Sequence, residues 1–271
     1  MNTGVTSFPT PRVRPNARHA LGGIWRLTAR RFFGPGYWLM LAGMLVALVV
    51  FSVPWTQDKD SAAREFLRWA GGFYVCFLLP MFAFISAAGA IRDDLGGGTV
   101  DYVFTRPVRR PVYVLFRYLA QLGCNQIDAL FALAGVIAIG AYHQVPGLWS
   151  ALPVLLLAQV IALVVFSAFG LFCGALTSRY VIVGLVYAAI VEVGLGNVPT
   201  QISQVSLVRQ VMGILQPILG ESGPLGRAAQ TAMFDSPGIV ALLAAVAAVF
   251  VALAAILFTC REFAGAGGKD A

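Results

Sequence analysis

The sequence predicts an all-α integral membrane protein with six transmembrane helices, and two observations lead to this prediction. Of its 271 residues, 59% are hydrophobic and only 11% are charged, whereas an ordinary soluble domain carries roughly 25% charged residues. A soluble chain with so few charges could not cover its own surface. In addition, the sequence contains six apolar runs, and most of them reach the roughly 20 residues that a helix needs to cross a bilayer.

Residues 1–36 precede the first apolar run and divide into two parts. Residues 1–16 are rich in proline, threonine and arginine, a composition that predicts a disordered tail. The next residues predict a basic amphipathic helix on the anionic membrane surface, because apolar side chains recur at helical spacing while His19, Arg26 and Arg30 fall opposite them. A basic leader that only sets the orientation of the chain is the alternative. The apolar face consists of Leu21, Ile24, Trp25, Thr28 and Phe32.

The six predicted spans form a transmembrane domain over residues 37–260. They cover residues 37–55, 70–91, 114–142, 152–176, 180–195 and 238–260. The fifth span is short for a full crossing, and Pro80 predicts a kink in the second. Small residues predict close helix packing, either within the chain or against a second copy. These small residues are Gly170 and Gly174 in the fourth span and Ala244, Ala248 and Ala252 in the sixth.

The distribution of basic residues predicts the orientation of the chain. Fourteen of the nineteen lysines and arginines lie before the first span, between spans two and three or in the first turn of span three, between spans four and five, or after the last span, and five lie on the opposite side. Basic residues favour the cytoplasmic side, so both termini, including the tail of residues 261–271, are predicted to be cytoplasmic. Residues 92–113 then face the cytoplasm, and residues 196–236 face the outside.

The connection between spans two and three, residues 92–113, interrupts the apolar sequence with a compact charged segment. It contains a run of three glycines, two prolines and several aromatic residues among its charges. The segment resembles the cytoplasmic signature of ABC-2-type transporter permeases, in which an acidic pair, a Gly-Thr step and a further acidic residue precede an Arg-Pro step and a membrane helix. The triple glycine is a departure, because a more helical charged residue is usual there. The matching residues are Asp93, Asp94, Gly98, Thr99, Asp101, Tyr102, Arg106, Pro107, Arg109 and Tyr113.

This resemblance implies a type V exporter-like permease fold, in which the segment forms a short cytoplasmic coupling helix that docks on a separate ATP-binding subunit. Two such ATPase subunits would hold the ATP and Mg²⁺, and a second permease copy or a paralogue would complete the pathway. A charged loop that only obeys the orientation rule is the alternative. The residues expected to contact the ATPase subunit are Asp93, Asp94, Thr99, Asp101, Tyr102, Phe104 and Arg106.

The resemblance also implies a function, which is export of a substrate across a bacterial cytoplasmic (inner) membrane. Lipids, peptides, glycans and drug-like amphiphiles all remain open as substrates. An ABC-type subunit that transmits motion to a partner protein outside, without moving a substrate, is the alternative. Membrane lipids are expected partners, and nucleic acid is not.

The chain lacks the sequence features of an ATPase, so we predict that it is not an enzyme and holds no cofactor itself. Its only lysines, Lys59 and Lys269, lie outside any Gly-x-x-x-x-Gly-Lys-Ser/Thr loop, whose backbone and lysine would cradle phosphates. Its only histidines, His19 and His143, lie outside the predicted spans, so intramembrane hydrolysis is poorly supported. The four cysteines lie within apolar runs and lack the spacing of metal ligands or of a disulfide framework.

The third predicted span contains a polar stripe that is a candidate substrate pathway. Arg117, Gln121, Asn125 and Asp128 recur on one helical face. A charge inside the membrane costs about 2.5–3.5 kcal/mol on insertion scales, so the stripe is predicted to face the protein interior or a water-filled cavity. A hydrogen-bond cluster that only aids helix packing explains the pattern equally well. Glu192 in the fifth span is a further pathway candidate, although a solvated or hydrogen-bonded end charge is the favoured interpretation.

Residues 196–236 are predicted to hold an amphipathic helix that lies at the outer membrane interface or dips into the bilayer. Ser206 and Arg209 lie away from its apolar face. The ABC-2 resemblance implies a gate over the outer exit, and a simple interfacial anchor is the alternative. The apolar face consists of Val205, Val208, Val211, Met212, Leu215, Ile218 and Leu219.

Overall fold

A computed structural model of the chain describes residues 17–52, 65–96, 110–195, 206–220 and 237–260, and these residues form eight helices and no strand. The all-α class that the sequence predicts is therefore confirmed over this part of the chain. In chain order the helices are α1 (Ala17–Phe32), α2 (Pro35–Val50), α3 (Glu65–Leu95), α4 (Arg110–Tyr142), α5 (Leu148–Leu176), α6 (180–195), α7 (Leu207–Gly220) and α8 (Pro237–Cys260).

Four helices in the described part of the chain, α3, α4, α5 and α8, are long and apolar enough to cross a membrane. The chain is therefore a helical membrane-integral protein. The helix α2 has 16 residues and ends at Val50, earlier than the predicted first span. At 1.5 Å per residue it is about 24 Å long, which is less than the roughly 30 Å of a hydrocarbon core. Because α6 is similarly short, the count of six spans stays a prediction.

The helix α5 forms the centre of the bundle. Its sequence is apolar on all sides, a pattern typical of a helix that is buried all round. Residues 165–171 are buried without a break, which is nearly two helical turns. Around α5 pack α3, α4, α7 and α8.

Two glycines bring α5 into close contact with α3. A Cβ atom added to Gly170 would lie 2.5 Å from the carbonyl oxygen of Phe84, and one added to Gly174 would lie 2.5 Å from that of Ala88. The backbone of α3 therefore occupies the place of a side chain at both positions, as in the small-residue contacts of membrane helices. The predicted GxxxG step thus lies inside the chain, whereas the alanine face predicted on the sixth span is exposed.

The helix α3 changes its geometry just before Pro80. Over Ala70–Leu78 it is π-helical, and the backbone N–H of Leu79 donates to the carbonyl of Tyr74, five residues earlier. Proline lacks an N–H group, and its ring clashes with the carbonyl four residues before it. The residues before Pro80 therefore cannot all keep regular α-helical bonds. Where the sequence predicted a kink, the structure has a π-helical segment.

The helix α1 packs along α4. The ring of Trp25 occupies the space that a side chain at Gly123 would need, and Thr28 is buried. Farther along α1, the rings of Phe32 and Phe82 meet edge to face with centroids 6.3 Å apart. The apolar face that the sequence predicted for this helix therefore contacts α3 and α4, and this contact positions the site described next.

Candidate functional site

The end of α3 holds a buried carboxylate that three other side chains contact. Asp94 is fully buried, and Arg31 of α1 lies 2.6 Å from its Oδ1 atom. At Oδ2, the Tyr113 hydroxyl donates a hydrogen bond of 2.7 Å, and Nε of Arg117 lies 2.7 Å away. We name these four residues the Asp94 cluster. It joins α1, α3 and α4.

Arg117 extends the cluster through its other nitrogens. Its Nη2 atom donates to the carbonyl oxygen of Ala90 at 2.9 Å, and its Nη1 atom donates to Oγ1 of Thr28. The Thr28 hydroxyl in turn donates to the carbonyl oxygen of Ile24 at 2.8 Å. Each guanidinium nitrogen of Arg117 therefore contacts an oxygen, and these oxygens lie on α1 and α3.

The Asp94 cluster contains two positive charges and one negative charge. Side-chain exposure is 3% for Arg117 and 0% for Asp94, so the charge of Arg117 is compensated only while Asp94 is present. Removal of one partner from a buried pair is strongly destabilising, by about 3–5 kcal/mol, because the remaining charge stays buried. Arg31 has a side chain that is 41% exposed, and its pairing contributes less because water screens its charge.

A second polar group joins α4 to both α3 and α5. Ser86 donates from Oγ to Oδ1 of Asn125 at 2.9 Å, and Gln121 donates from Nε2 to the same oxygen at 3.0 Å. The Nδ2 atom of Asn125 donates to Oγ of Ser167 at 3.0 Å. We name these four residues the Asn125 bridge. In a low-dielectric interior such a network fixes the relative positions of the helices that carry it.

A third polar group surrounds Tyr74. Its hydroxyl oxygen lies 2.9 Å from the carbonyl oxygen of Ala129 and 2.7 Å from Oε1 of Gln159. A hydroxyl has one proton and cannot donate to both acceptors. If the Gln159 amide is turned, Nε2 donates to Tyr74 and Tyr74 donates to Ala129. This orientation gives Nε2 a partner that it otherwise lacks within the described residues. The fully buried Asp128 directly precedes Ala129.

A cavity of about 520 Å³ lies between α1, α2, α3 and α4, and Tyr180 at the start of α6 also lines it. Polar side chains in its wall include Arg31, Asp93, Arg117, Ser86 and Gln121, so the cavity touches both the Asp94 cluster and the Asn125 bridge. The volume falls within the roughly 300–1,000 Å³ of small-ligand sites, and the mixed wall suits an amphiphile. The apolar wall includes Phe32, Met44, Ala47, Leu78, Met81, Phe82 and Ile85.

Glu192 binds the start of α7. Its carboxylate accepts a hydrogen bond of 2.7 Å from the Tyr187 hydroxyl, bonds of 3.2 Å from the N–H groups of Leu207 and Val208, and another from the Ser206 hydroxyl. A carboxylate there satisfies N–H groups that lack helical partners and interacts favourably with the helix dipole. Glu192 is therefore a hydrogen-bonded end charge. Ser206, predicted to lie away from the packed face, is instead buried, because its hydroxyl also caps the helix.

The structure places the predicted site residues in different environments. Asp93 is exposed and lines the cavity, whereas the carboxylate of Asp94 points inward into the Asp94 cluster. Gln121 lines the cavity, and Asn125 and Asp128 are fully buried within the bundle. The other predicted contacts to the ATPase subunit lie outside the described residues, and they are Thr99, Asp101, Tyr102, Phe104 and Arg106.

Several members of these polar groups were missed by sequence reasoning. A search for isolated polar residues in the fourth predicted span would have found Gln159 and Ser167. No sequence pattern indicates the ion pair of Arg31 with Asp94, because the two residues lie far apart in the sequence and meet only after α1 packs on the bundle.

Within the described residues, no group of three or more His, Cys, Asp or Glu side chains could hold a metal ion. The site offers paired charges, hydrogen bonds and a cavity. No protein-family model matches the chain, and no curated protein matches it.

Proposed function

We propose that this chain is the transmembrane permease subunit of an ABC transporter of the ABC-2 type, and that it exports its substrate with ATP hydrolysed by a separate subunit. The observation that best supports this function is the Asp94 cluster. It joins the end of α3 to the start of α4, and these two helices flank the segment that carries the ABC-2 signature. It also ties both helices to α1.

A segment that transmits motion must be attached to the protein by rigidly held helix ends. Asp94 precedes residues 97–109, and Tyr113 and Arg117 follow them. The Tyr113 hydroxyl and the Nε atom of Arg117 nevertheless each lie 2.7 Å from the carboxylate of Asp94. The residues on either side of the segment are therefore held together. A force applied to it by an ATPase subunit would move α1, α3 and α4 together, and the Asn125 bridge would extend the motion to α5. In this mechanism Asp94 is a positioning residue.

The contacts with the ATPase subunit are proposed to come from the segment itself. Tyr102, Phe104 and Arg106 are the anchor candidates, because interface energy concentrates in a few aromatic and arginine side chains. Asp93 and Asp101 would steer the segment toward basic groups on the rim of the ATPase groove. Two ATPase subunits would bind ATP and Mg²⁺, and a second permease copy or a paralogue would face this one.

The polar stripe supports a route that starts at the Asp94 end of the bundle. Gln121, Asn125 and Asp128 are buried, and Gln121 also lines the cavity. We place the Asp94 end at the cytoplasm, because fourteen of the nineteen basic residues fall on that side of the predicted topology.

Purification of the tagged chain from its native membrane tests this function. In mild detergent the chain should co-purify with an ATP-hydrolysing subunit at one ATPase per permease copy, and the preparation should hydrolyse ATP. A second preparation, cross-linked before solubilisation, guards against loss of the partner in detergent. If neither preparation contains an ATP-hydrolysing subunit, the proposed function is wrong.

A further inference from the structure

We infer that the cavity between α1, α2, α3 and α4 binds an anionic phospholipid, with the phosphate beside Arg31 and Arg117 and an acyl chain against the apolar wall. This site goes beyond the proposed function, because lipid binding depends on neither an ATPase subunit nor transport. The lipid would come from the leaflet at the Asp94 end of the bundle.

The cavity opens onto a surface that lipid chains cover. Met81 and Ile85 line the cavity and are 54% and 38% exposed. Both lie on α3, which is long and apolar enough to cross a membrane. Gly43 of α2 also lines the cavity and is exposed. An acyl chain can therefore enter between α2 and α3 directly from the bilayer and reach the inner wall at Phe32 without passing through water.

The polar wall of the cavity matches a phosphate. Arg31 and Arg117 both line it, and a guanidinium presents five N–H donors in a planar fork that suits phosphate oxygens. One guanidinium can therefore contact Asp94 and a phosphate at the same time. Such charge-assisted hydrogen bonds are roughly twice as strong as neutral ones.

The charge balance favours an anion. The helix ends that form this region add Arg30, Arg92 and Arg110 to the two cavity arginines, which makes five arginines against Asp93 and Asp94. Asp93 also lines the cavity, but it is exposed, so water and salt screen its repulsion. A free phosphate ion would leave the apolar wall without packing partners, whereas the acyl chain of a lipid supplies van der Waals contacts along it.

Native mass spectrometry of the purified full chain, titrated with phosphatidylglycerol or phosphatidylcholine, tests this inference. The chain should bind one phosphatidylglycerol about tenfold more tightly than phosphatidylcholine, because the choline charge offsets the phosphate. Soluble glycerol phosphate in excess should not displace the lipid. Equal binding of the two lipids, or displacement by glycerol phosphate, would overturn the assignment of an anionic phospholipid.

Two pairs of variants locate the lipid. Gly43→Leu places a bulky side chain at the cavity wall, where a Cβ atom meets no atom within 4 Å, and Gly72→Leu is the matched control at a glycine outside the cavity wall whose Cβ position is also open. Arg31→Gln removes a phosphate contact. Arg30→Gln is the matched control, because Arg30 is an exposed neighbour outside the cavity wall. We expect binding to fall about tenfold in the first variant of each pair and to stay unchanged in each control. Wild-type binding by Gly43→Leu would show that the lipid does not occupy the cavity.

Discussion

The carboxylate of Asp94 lies 2.7 Å from Nε of Arg117, and both side chains are almost completely withdrawn from solvent. This pair joins the two helices on either side of residues 97–109. A buried ion pair adds little net stability over an apolar pair of the same shape, because both charges lose their hydration. The role we assign to the pair is therefore to hold one arrangement of α3 and α4, which the contacts of Arg31 and Thr28 extend to α1.

The first prediction concerns the cost of breaking this pair. Asp94→Asn keeps the size of the side chain but leaves the charge of Arg117 buried without compensation. The free energy of unfolding in detergent micelles should fall by about 3–5 kcal/mol. Asp93→Asn is the matched control, because Asp93 is exposed, and it should change stability by no more than about 0.5 kcal/mol. If the two variants are equally stable, Asp94 does not compensate the buried charge of Arg117.

The second prediction concerns the contact between α3 and α5. Gly170→Ala and Gly174→Ala each place a methyl group against the backbone of α3, and each should lower the free energy of unfolding by about 1–3 kcal/mol. Gly72→Ala is the control, since a Cβ atom there meets nothing within 4 Å. If thermal unfolding of both variants matches that of the control, the two helices are not packed as described.

The main features of the fold were predictable from the sequence, because apolar runs and helix length depend on local composition. The runs that became α3, α4, α5 and α8 are long enough to decide the assignment by themselves. The runs of α2 and α6 are shorter, and length alone does not settle whether they cross the membrane. The π-helical segment before Pro80 was anticipated only as a kink, because proline shows where regular bonding fails but not how the helix adapts.

Some residues of the site were predictable from the sequence, but their contacts were not. The spacing of Gln121, Asn125 and Asp128 showed that one face of α4 must avoid lipid, and all three are buried. The partners of a polar side chain lie on other helices, however, and the sequence does not show which helices meet. Asp94 was therefore expected at a surface, whereas its carboxylate is buried among side chains from α1 and α4.

The third prediction concerns Glu192 as the cap of α7. Glu192→Ala removes the acceptor of two backbone N–H groups, those of Leu207 and Val208. Loss of a helix cap costs about 0.5–2 kcal/mol, so amide hydrogen exchange in the first turn of α7 should quicken by up to roughly 30-fold. Amides of α8 serve as the internal control and should exchange at the wild-type rate. Unchanged exchange at Leu207 and Val208 would show that the carboxylate does not stabilise this turn.

The fourth prediction concerns the polar stripe and depends on the proposed function. Asp128→Leu removes a buried ionisable group, so membrane insertion should improve by about 2.5–3.5 kcal/mol and abundance should not fall. ATP hydrolysis by the reconstituted complex, measured with and without the transported substrate, should lose its stimulation by that substrate. Leu130→Ala alters an exposed residue of α4 and is the control. If the transported substrate still stimulates ATP hydrolysis by the Asp128→Leu complex to the wild-type extent, the polar stripe serves helix packing only.

The last prediction tests the segment that carries the ABC-2 signature. The double variant Tyr102→Ala with Arg106→Ala removes two anchor candidates, and truncation of a single anchor can cost about 2 kcal/mol or more. The ATPase subunit should therefore bind at least about 30-fold more weakly, while the permease inserts normally. Cysteines introduced at Val100 or Val103 should crosslink to the groove of the ATPase subunit, and a cysteine at Gln144, on the opposite side in the predicted topology, should not. If the double variant retains its ATPase at wild-type stoichiometry and transports at the wild-type rate, the charged segment only sets the orientation of the chain in the membrane.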